Sequence, residues 1–281
     1  MITGMPRIAI AVRNFDAVLN TFGDLLGLPI LDLSSSSVDS LGARLAMCVP
    51  PGGSNIELMC PANPAFPLAR SLENFLERRG EGLFALMLEA PDPDAEAERL
   101  LDAGLQVLPL MEGAGGRDIH PRSTHGVLIR VYPTGSFQGR KAPEEQSLAL
   151  SGIMRVMVAV HDVDAALAVY SQSLGLPAGE VEADSRRGIR RAVVQPPRGG
   201  AIELVSPLED RRSFSQSLKA QLQGRGEGLF GLVLQADNPL SIAKELASRG
   251  IAMAAAYEGG IALSPDTTFG ARIFIETSEG A

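Results

Sequence analysis

The hexapeptide R-G-E-G-L-F occurs twice in this chain, at Arg79–Phe84 and at Arg225–Phe230, 146 positions apart (225 − 79). The similarity extends well beyond these six residues. The segments R-I-A-I-A-V (7–12), P-P-G-G-S-N-I-E-L (50–58) and H-P-R-S-T-H-G (120–126) have counterparts at 155–160, 196–204 and 264–270. The offsets stay between 144 and 148, so the second half is a diverged duplicate of the first.

The repeat predicts two domains, at residues 1–138 and 151–281, joined by a polar linker at 139–150 that contains Lys141 and Pro143. Within each half, a short apolar strand and a helix are followed by further strands, and this order occurs twice. In the first half, the strand Ile8–Val12 leads into a helix from about Asp16 that ends at Gly27. The pattern predicts an α+β fold of four βαβββ modules.

Composition excludes several classes of partner. The 25 basic and 33 acidic residues give a net charge of −8, Trp is absent, and only 5% of residues are aromatic. A nucleic-acid partner is therefore not expected. No apolar run approaches the ~18 residues needed to span a bilayer, so no membrane contact is expected. The N-terminal segment lacks a basic region typical of signal peptides, which predicts a cytoplasmic location.

The repeated motifs resemble those of the methylmalonyl-CoA epimerases, in particular R-G-E-G-L before a strand, H-P-R-S-T-H-G-V-L-I and N-I-E-L. That family belongs to the vicinal oxygen chelate superfamily, with the glyoxalases and bleomycin resistance proteins. The resemblance covers nearly all of residues 6–133 and, more weakly, residues 153–276. It implies tandem glyoxalase-like domains, in which each pair of modules closes a cup-shaped mixed β-sheet around one site.

Most of the metal ligands that the resemblance implies are replaced. In this superfamily, four strands each offer one inward side chain to a divalent metal. The corresponding residues here are Arg7, Glu57, Ala85 and Arg130 in the first half, and Arg155, Glu203, Gly231 and Phe274 in the second. A divalent cation needs several converging oxygen or nitrogen ligands, and one glutamate in each half does not supply them. We therefore expect no metal and no other cofactor. The catalytic carboxylate of the epimerases is also missing, which argues against epimerase activity.

The two arginines in the first half indicate an anion site. Strand alternation places Arg7 on the face opposite to Ile8, and Arg130 on the face opposite to Ile129. With the geometry that the resemblance implies, both arginines point into the cup. A surface position is the alternative for Arg7. Because Glu57 neutralises only one of the two, we expect about one uncompensated positive charge in this cup, and guanidinium groups suit carboxylate or phosphate. In the second half, Arg155 and Glu203 balance each other, which predicts a buried structural pair.

His120 and His125 are candidate acid–base groups together with Glu57, because histidine exchanges protons near neutral pH. The alternatives are a turn cap for His120 and a hydrogen-bonded loop residue for His125. These residues predict a metal-independent lyase or isomerase. Its substrate would be a small organic acid or acyl thioester held by Arg7 and Arg130.

A non-catalytic binding or sequestering protein of the bleomycin-resistance type is the alternative function. An extradiol dioxygenase is disfavoured, since its iron site needs two histidines and a carboxylate. The chain has three histidines, and none of them lies on the ligand strands. The expected partner is a small anion, and the sequence leaves a homodimer open.

Overall fold

The computed structural model describes residues 1–111, 113, 115–137, 148–209, 211–254, 257 and 259–278. Most of the predicted linker at 139–150 lies outside the described residues, so the domain boundaries stay a prediction. No helix in the described part of the chain is long and apolar enough to cross a membrane.

The first half forms one seven-stranded mixed sheet. Its strands are β1 (Gly4–Ala11), β2 (Ile30–Asp32), β3 (Ala43–Cys48), β4 (Asn55–Pro61), β5 (Gly82–Ala90), β6 (Arg117–Ile119) and β7 (Ile129–Pro133). The spatial order is β2-β3-β4-β1-β5-β7-β6. Strand β1 runs parallel to β4 and antiparallel to β5, so the first strands of the two modules pair at the centre of the sheet.

The second half repeats this arrangement. Its strands are β8 (Arg155–Ala159), β9 (Glu182–Asp184), β10 (Ile189–Val194), β11 (Ala201–Pro207), β12 (Gly228–Ala236), β13 (Gly260–Ala262) and β14 (Ile273–Thr277). Their order, β13-β14-β12-β8-β11-β10-β9, matches that of the first sheet. The prediction of an α+β fold with tandem cup-shaped mixed sheets is confirmed.

Seven α-helices accompany the sheets. They are α1 (Phe15–Leu19), α2 (Ser34–Leu41), α3 (Pro67–Arg79), α4 (Pro93–Asp102), α5 (Val163–Ala168), α6 (Ser213–Gly224) and α7 (Pro239–Ser248), as far as the described residues extend. Asparagine or aspartate side chains cap the N-termini of α1, α4, α5 and α7. The chain continues from α1 as a π-helical segment (Asn20–Leu25), and Gly27 follows with φ +66°, as the helix-stop pattern predicts. Helix α2 was not predicted.

Because side chains alternate along each strand, the two faces of each sheet pack into different hydrophobic cores. Along β1, Ile8 and Ile10 lie in a large core that also contains Val156 and Val158 of β8 and residues of α1, α4, α5 and α7. The opposite face of β1, with Ala9 and Ala11, lies in a separate core with α3. The face of β8 that carries Met157 packs in the same way with α6. Each cup therefore has its own helix on the concave side, and the two convex faces share one core.

The repeated hexapeptide lies at the junction of the two halves. Glu81 and Glu227 each accept a backbone N–H at the end of the first strand of their own half, at 2.7 Å. A Cβ atom on Gly126 would lie 2.0 Å from the Glu227 carbonyl oxygen, and one on Gly270 would lie 2.1 Å from that of Glu81. Each copy of the hexapeptide therefore packs on a glycine loop of the opposite half.

Candidate functional site

The N-terminal cup holds both arginines that the alternation places inside it. Arg7 and Arg130 are 6% and 5% exposed, and their guanidinium carbons lie 4.4 and 5.9 Å from the ring centroid of Tyr132. Met87 of β5 pairs with Arg7 on one side and with Arg130 on the other. The two arginines thus lie two strands apart, about 10 Å between backbones.

The predicted excess of positive charge in this cup is wrong. Arg7 Nε donates to Glu57 Oε2 at 2.8 Å, and Arg130 donates from Nε and Nη2 to both carboxylate oxygens of Asp118 at 2.5 Å. Asp118 lies on β6 directly opposite Arg130 in antiparallel register. Burial alone would lower the pKa of Arg130, but the Asp118 carboxylate raises it. Both guanidinium groups are therefore neutralised within the cup.

The histidines lie away from these pairs. His120 Nδ1 accepts the backbone N–H of Arg122 at 3.0 Å and caps a short 3₁₀ helix, as the turn-cap alternative predicts. His125 has φ +52°, and its Nδ1 lies 3.0 Å from Glu227 Oε2 of the second half. No hydrogen bond among the described residues joins either histidine to Glu57. Their catalytic roles, and that of Glu57, stay predictions.

The sequence predicts an isolated ion pair of Arg155 and Glu203. In the structure, both residues belong to a larger network. Glu203 is fully buried and accepts hydrogen bonds from Arg187 at 2.5 and 3.2 Å and from Arg191 at 3.0 Å. Arg155 lies 3.5 Å from Glu203 and binds Glu276 at 2.5 Å. Burial would raise the pKa of Glu203, but these guanidinium groups hold it below its ordinary value. Sequence reasoning missed Arg187 and Arg191, whose only signal was the arginine-rich segment around β10.

Beside this network lies a cavity of about 180 Å³ with aromatic walls. Phe214 of α6 and Phe230 of β12 meet edge to face with ring centroids 5.4 Å apart. Tyr257 and Phe274 have centroids 4.6 Å apart, and the Tyr257 hydroxyl donates to Glu276 at 2.5 Å. Phe274 takes the place that Arg130 has in the first half, so here the cup contains an apolar cavity.

Arg272, which directly precedes β14, lies at the rim of this cavity. Its Nη1 donates to the side-chain oxygen of Gln221 at 2.8 Å, and its guanidinium carbon lies 4.8 Å from the Phe230 ring centroid. Among the described residues, no carboxylate forms an ion pair with it. Burial and the nearby charge of Arg225 lower the pKa of Arg272. A partly buried guanidinium without a carboxylate partner is suited to bind an external anion.

Neither cup fits the divalent metal of the superfamily. Within the described residues, no group of three or more His, Cys, Asp or Glu side chains converges as a metal site would require. Glu57 and Glu203 are the glutamates at the ligand positions that the resemblance implies. Both bind guanidinium groups.

The family model described as the Glyoxalase/Bleomycin resistance protein/Dioxygenase superfamily matches residues 7–120. The match lies within the N-terminal half, and the C-terminal half repeats the strand order of that half. No curated protein matches the chain.

Two solved structures share the fold over most of this chain. A variant of 4-hydroxymandelate synthase from Streptomyces coelicolor aligns over 100% of this chain and 94% of its own, with a TM-score of 0.70 and 16% identity. A xylose isomerase-like TIM barrel/4-hydroxyphenylpyruvate dioxygenase fusion protein aligns over 90% of this chain and 40% of its own, with a TM-score of 0.60 and 16% identity. Methylmalonyl-CoA epimerase from Mycobacterium tuberculosis covers 47% of this chain and 90% of its own, at 24% identity and a TM-score of 0.40.

Proposed function

We propose that this chain is a metal-independent, non-catalytic binding protein for a small organic acid, held in the aromatic cavity of the C-terminal cup. The observation that carries this proposal is Arg272, a guanidinium at the cavity rim that has no carboxylate partner among the described residues. The buried arginines Arg7, Arg130 and Arg187, in contrast, are all paired with carboxylates. A ligand carboxylate would supply the missing partner.

The size and walls of the cavity define the rest of the ligand. A volume of about 180 Å³ is below the roughly 300–1,000 Å³ of sites for drug-sized ligands. An apolar protein cavity of about 150 Å³ accommodates benzene. The faces and edges of Phe214, Phe230 and Phe274 favour an aromatic or branched apolar body. Benzoate and phenylacetate have this size and charge.

Binding without catalysis is favoured by the acid–base groups of the cavity. Among the described residues that line it, the titratable side chains are those of Tyr257 and Arg272. Burial and then the Glu276 carboxylate raise the pKa of Tyr257, so its phenol stays protonated at neutral pH. The guanidinium of Arg272 does not release its proton either. Neither group can shuttle a proton at neutral pH.

A lyase or isomerase that uses the N-terminal cup is the second candidate. The observation that favours it is the pair of buried guanidinium groups of Arg7 and Arg130, both of which lie near the ring of Tyr132. In that reading they hold a small acid or acyl thioester, and His120, His125 or Glu57 moves a proton. The ion pairs with Glu57 and Asp118 would have to open to admit the substrate.

Titration calorimetry with benzoate and phenylacetate, followed by NMR of the mixtures, tests these candidates. The acids should bind and remain unchanged. Benzamide, which has the shape of benzoate without its charge, should bind about tenfold more weakly or worse, because it cannot form the charge-assisted hydrogen bonds. Absence of acid binding, or equal affinity for acid and amide, would overturn the proposal. Conversion of a bound acid to a product would favour the second candidate.

A further inference from the structure

A cleft of about 460 Å³ lies between the two halves of the molecule. Both copies of the repeated hexapeptide contribute to its walls, together with residues of α3, α6 and the segments that precede β7 and β14. One wall, from the first half, is largely apolar and includes Phe75, Phe84 and Leu128. The cleft meets the aromatic cavity at Phe230 and Arg272, which line both, but most of its lining is separate.

The charge of this cleft is strongly positive. Arg78 and Arg79 at the end of α3 line it from one half, and Arg225 and Arg272 line it from the other. Among its described lining residues, Glu227 is the one carboxylate. Both of its oxygens are engaged within the protein, by the backbone N–H of residue 161 at 2.7 Å and by the ring of residue 125 at 3.0 Å.

None of these four arginines has an ion-pair partner among the described residues. Arg79 Nη1 donates to the backbone carbonyl of Arg225 at 2.9 Å, and Arg272 binds a neutral amide. The charge of Arg225 contributes, after burial, to the lowered pKa of Arg272, so these two guanidinium groups repel each other. The chain as a whole carries a net charge of −8, and a cluster of unpaired arginines is therefore not a general property of its surface.

We propose that this cleft is a second binding site, for a polyanion with the chemistry of a phosphate ester or polyphosphate. Four guanidinium groups against one engaged carboxylate leave more positive charge than a single ligand carboxylate can neutralise. Phosphate oxygens accept hydrogen bonds from the guanidinium fork in the same bidentate manner as carboxylates and carry more charge. The apolar lining residues Phe75, Phe84 and Leu128 are suited to the organic part of such an ester.

Calorimetric titration of the full chain with inorganic pyrophosphate, at low and high ionic strength, tests this site. The wild type should bind, and its affinity should fall as salt rises. Arg225→Gln should lower the affinity about tenfold, because a hydrogen bond to a charged group contributes about 1.5–3 kcal/mol. Arg225 is exposed, so its replacement leaves the fold intact.

Arg186→Gln is the matched control, since it removes one exposed arginine that lines neither the cleft nor the aromatic cavity. It should change pyrophosphate affinity less than about twofold. Absence of pyrophosphate binding, or equal losses in both variants, would overturn the proposal.

Arg272 lines both the cleft and the aromatic cavity, whereas Arg78, Arg79 and Arg225 line the cleft alone. Arg225→Gln should leave benzoate affinity nearly unchanged, so a failure of one site is distinguishable from a failure of the other.

Discussion

Arg272 occupies in the second half the position that Leu128 occupies in the first. The two residues are 144 positions apart, as are the sequence motifs around them, and both line the cleft between the halves. A second exchange lies two residues further along the chain in each half, where Phe274 replaces Arg130. The duplication has thus diverged in opposite directions. In the first cup, Arg130 is paired with Asp118. The second cup contains an aromatic cavity, and Arg272 at its rim has no carboxylate partner among the described residues.

Arg272→Leu, which restores the residue of the first half, should weaken benzoate binding about tenfold or more, because the charge-assisted hydrogen bonds are lost. Arg272→Lys should recover only part of the affinity, since an ammonium group cannot form the bidentate fork. Leu128→Ala at the equivalent position is the control and should change affinity little. Calorimetry on the three variants measures these effects, and wild-type affinity in Arg272→Leu would place the acid elsewhere.

Arg130→Met should reduce the free energy of unfolding by about 3–5 kcal/mol, because it leaves the Asp118 carboxylate buried without a partner. Replacing both residues, as Arg130→Met with Asp118→Leu, should recover most of the loss, since an apolar pair of similar volume is often as stable as a buried ion pair. Denaturant unfolding measures both.

The exposed ion pair of Arg44 and Asp16 is the control for the Arg130 and Asp118 variants. Arg44→Met should cost less than about 1 kcal/mol. A similar cost for Arg44→Met and Arg130→Met would show that burial of the Asp118 pair does not matter.

Gly126→Ala should destabilise the chain more than Gly104→Ala. Both glycines have positive φ, so both substitutions carry the left-handed penalty of about 1–2 kcal/mol. A new Cβ at Gly104 meets nothing within 4 Å, whereas one at Gly126 would lie 2.0 Å from the backbone oxygen of Glu227. Thermal unfolding of the two variants isolates the contact between the halves. Equal melting temperatures would contradict the close approach seen at this junction.

Stability should fall in acid because of Glu203. Its pKa is lowered in the folded state, so it contributes stability that is present above its ordinary pKa of 4.5 and is lost as pH falls through the folded value. Glu203→Gln should flatten the dependence of unfolding free energy on pH below about pH 4.5. Glu180→Gln, at an exposed position, should keep the wild-type slope. The comparison uses the slopes of denaturant midpoints against pH, and equal slopes would remove Glu203 as the cause.

Purified protein should contain no stoichiometric divalent metal after dialysis, and added zinc, cobalt or manganese should leave its melting temperature unchanged. The physical reason is that Glu57 and Glu203 already bind guanidinium groups, which repel a cation. Elemental analysis and thermal shift measure the two effects. About one metal ion per chain, or stabilisation that rises with metal concentration, would contradict the loss of the ligand set.

Strand faces and the repeat were readable from sequence because they are local properties of the chain. Alternation along β1 placed Ile8 and Ile10 on one face and Arg7 on the other, and the structure has them there. The duplicated motifs likewise predicted two similar sheets. The close approach of Gly126 to Glu227, in the second copy of the hexapeptide, was not predicted.

Charge compensation was decided only by the tertiary structure. Asp118 neutralises Arg130 through the register of β6 and β7, and nothing in the residues around Asp118 fixes that register. Arg225 follows α6, and Arg272, 47 positions further along, directly precedes β14, so they share one cleft only after these two elements have packed. The face of a residue follows from the geometry of its own strand, whereas its electrostatic partner depends on how distant segments fold against each other. The sequence therefore determined the architecture and the inward arginines, and the tertiary structure decided which of them are available to bind an anion.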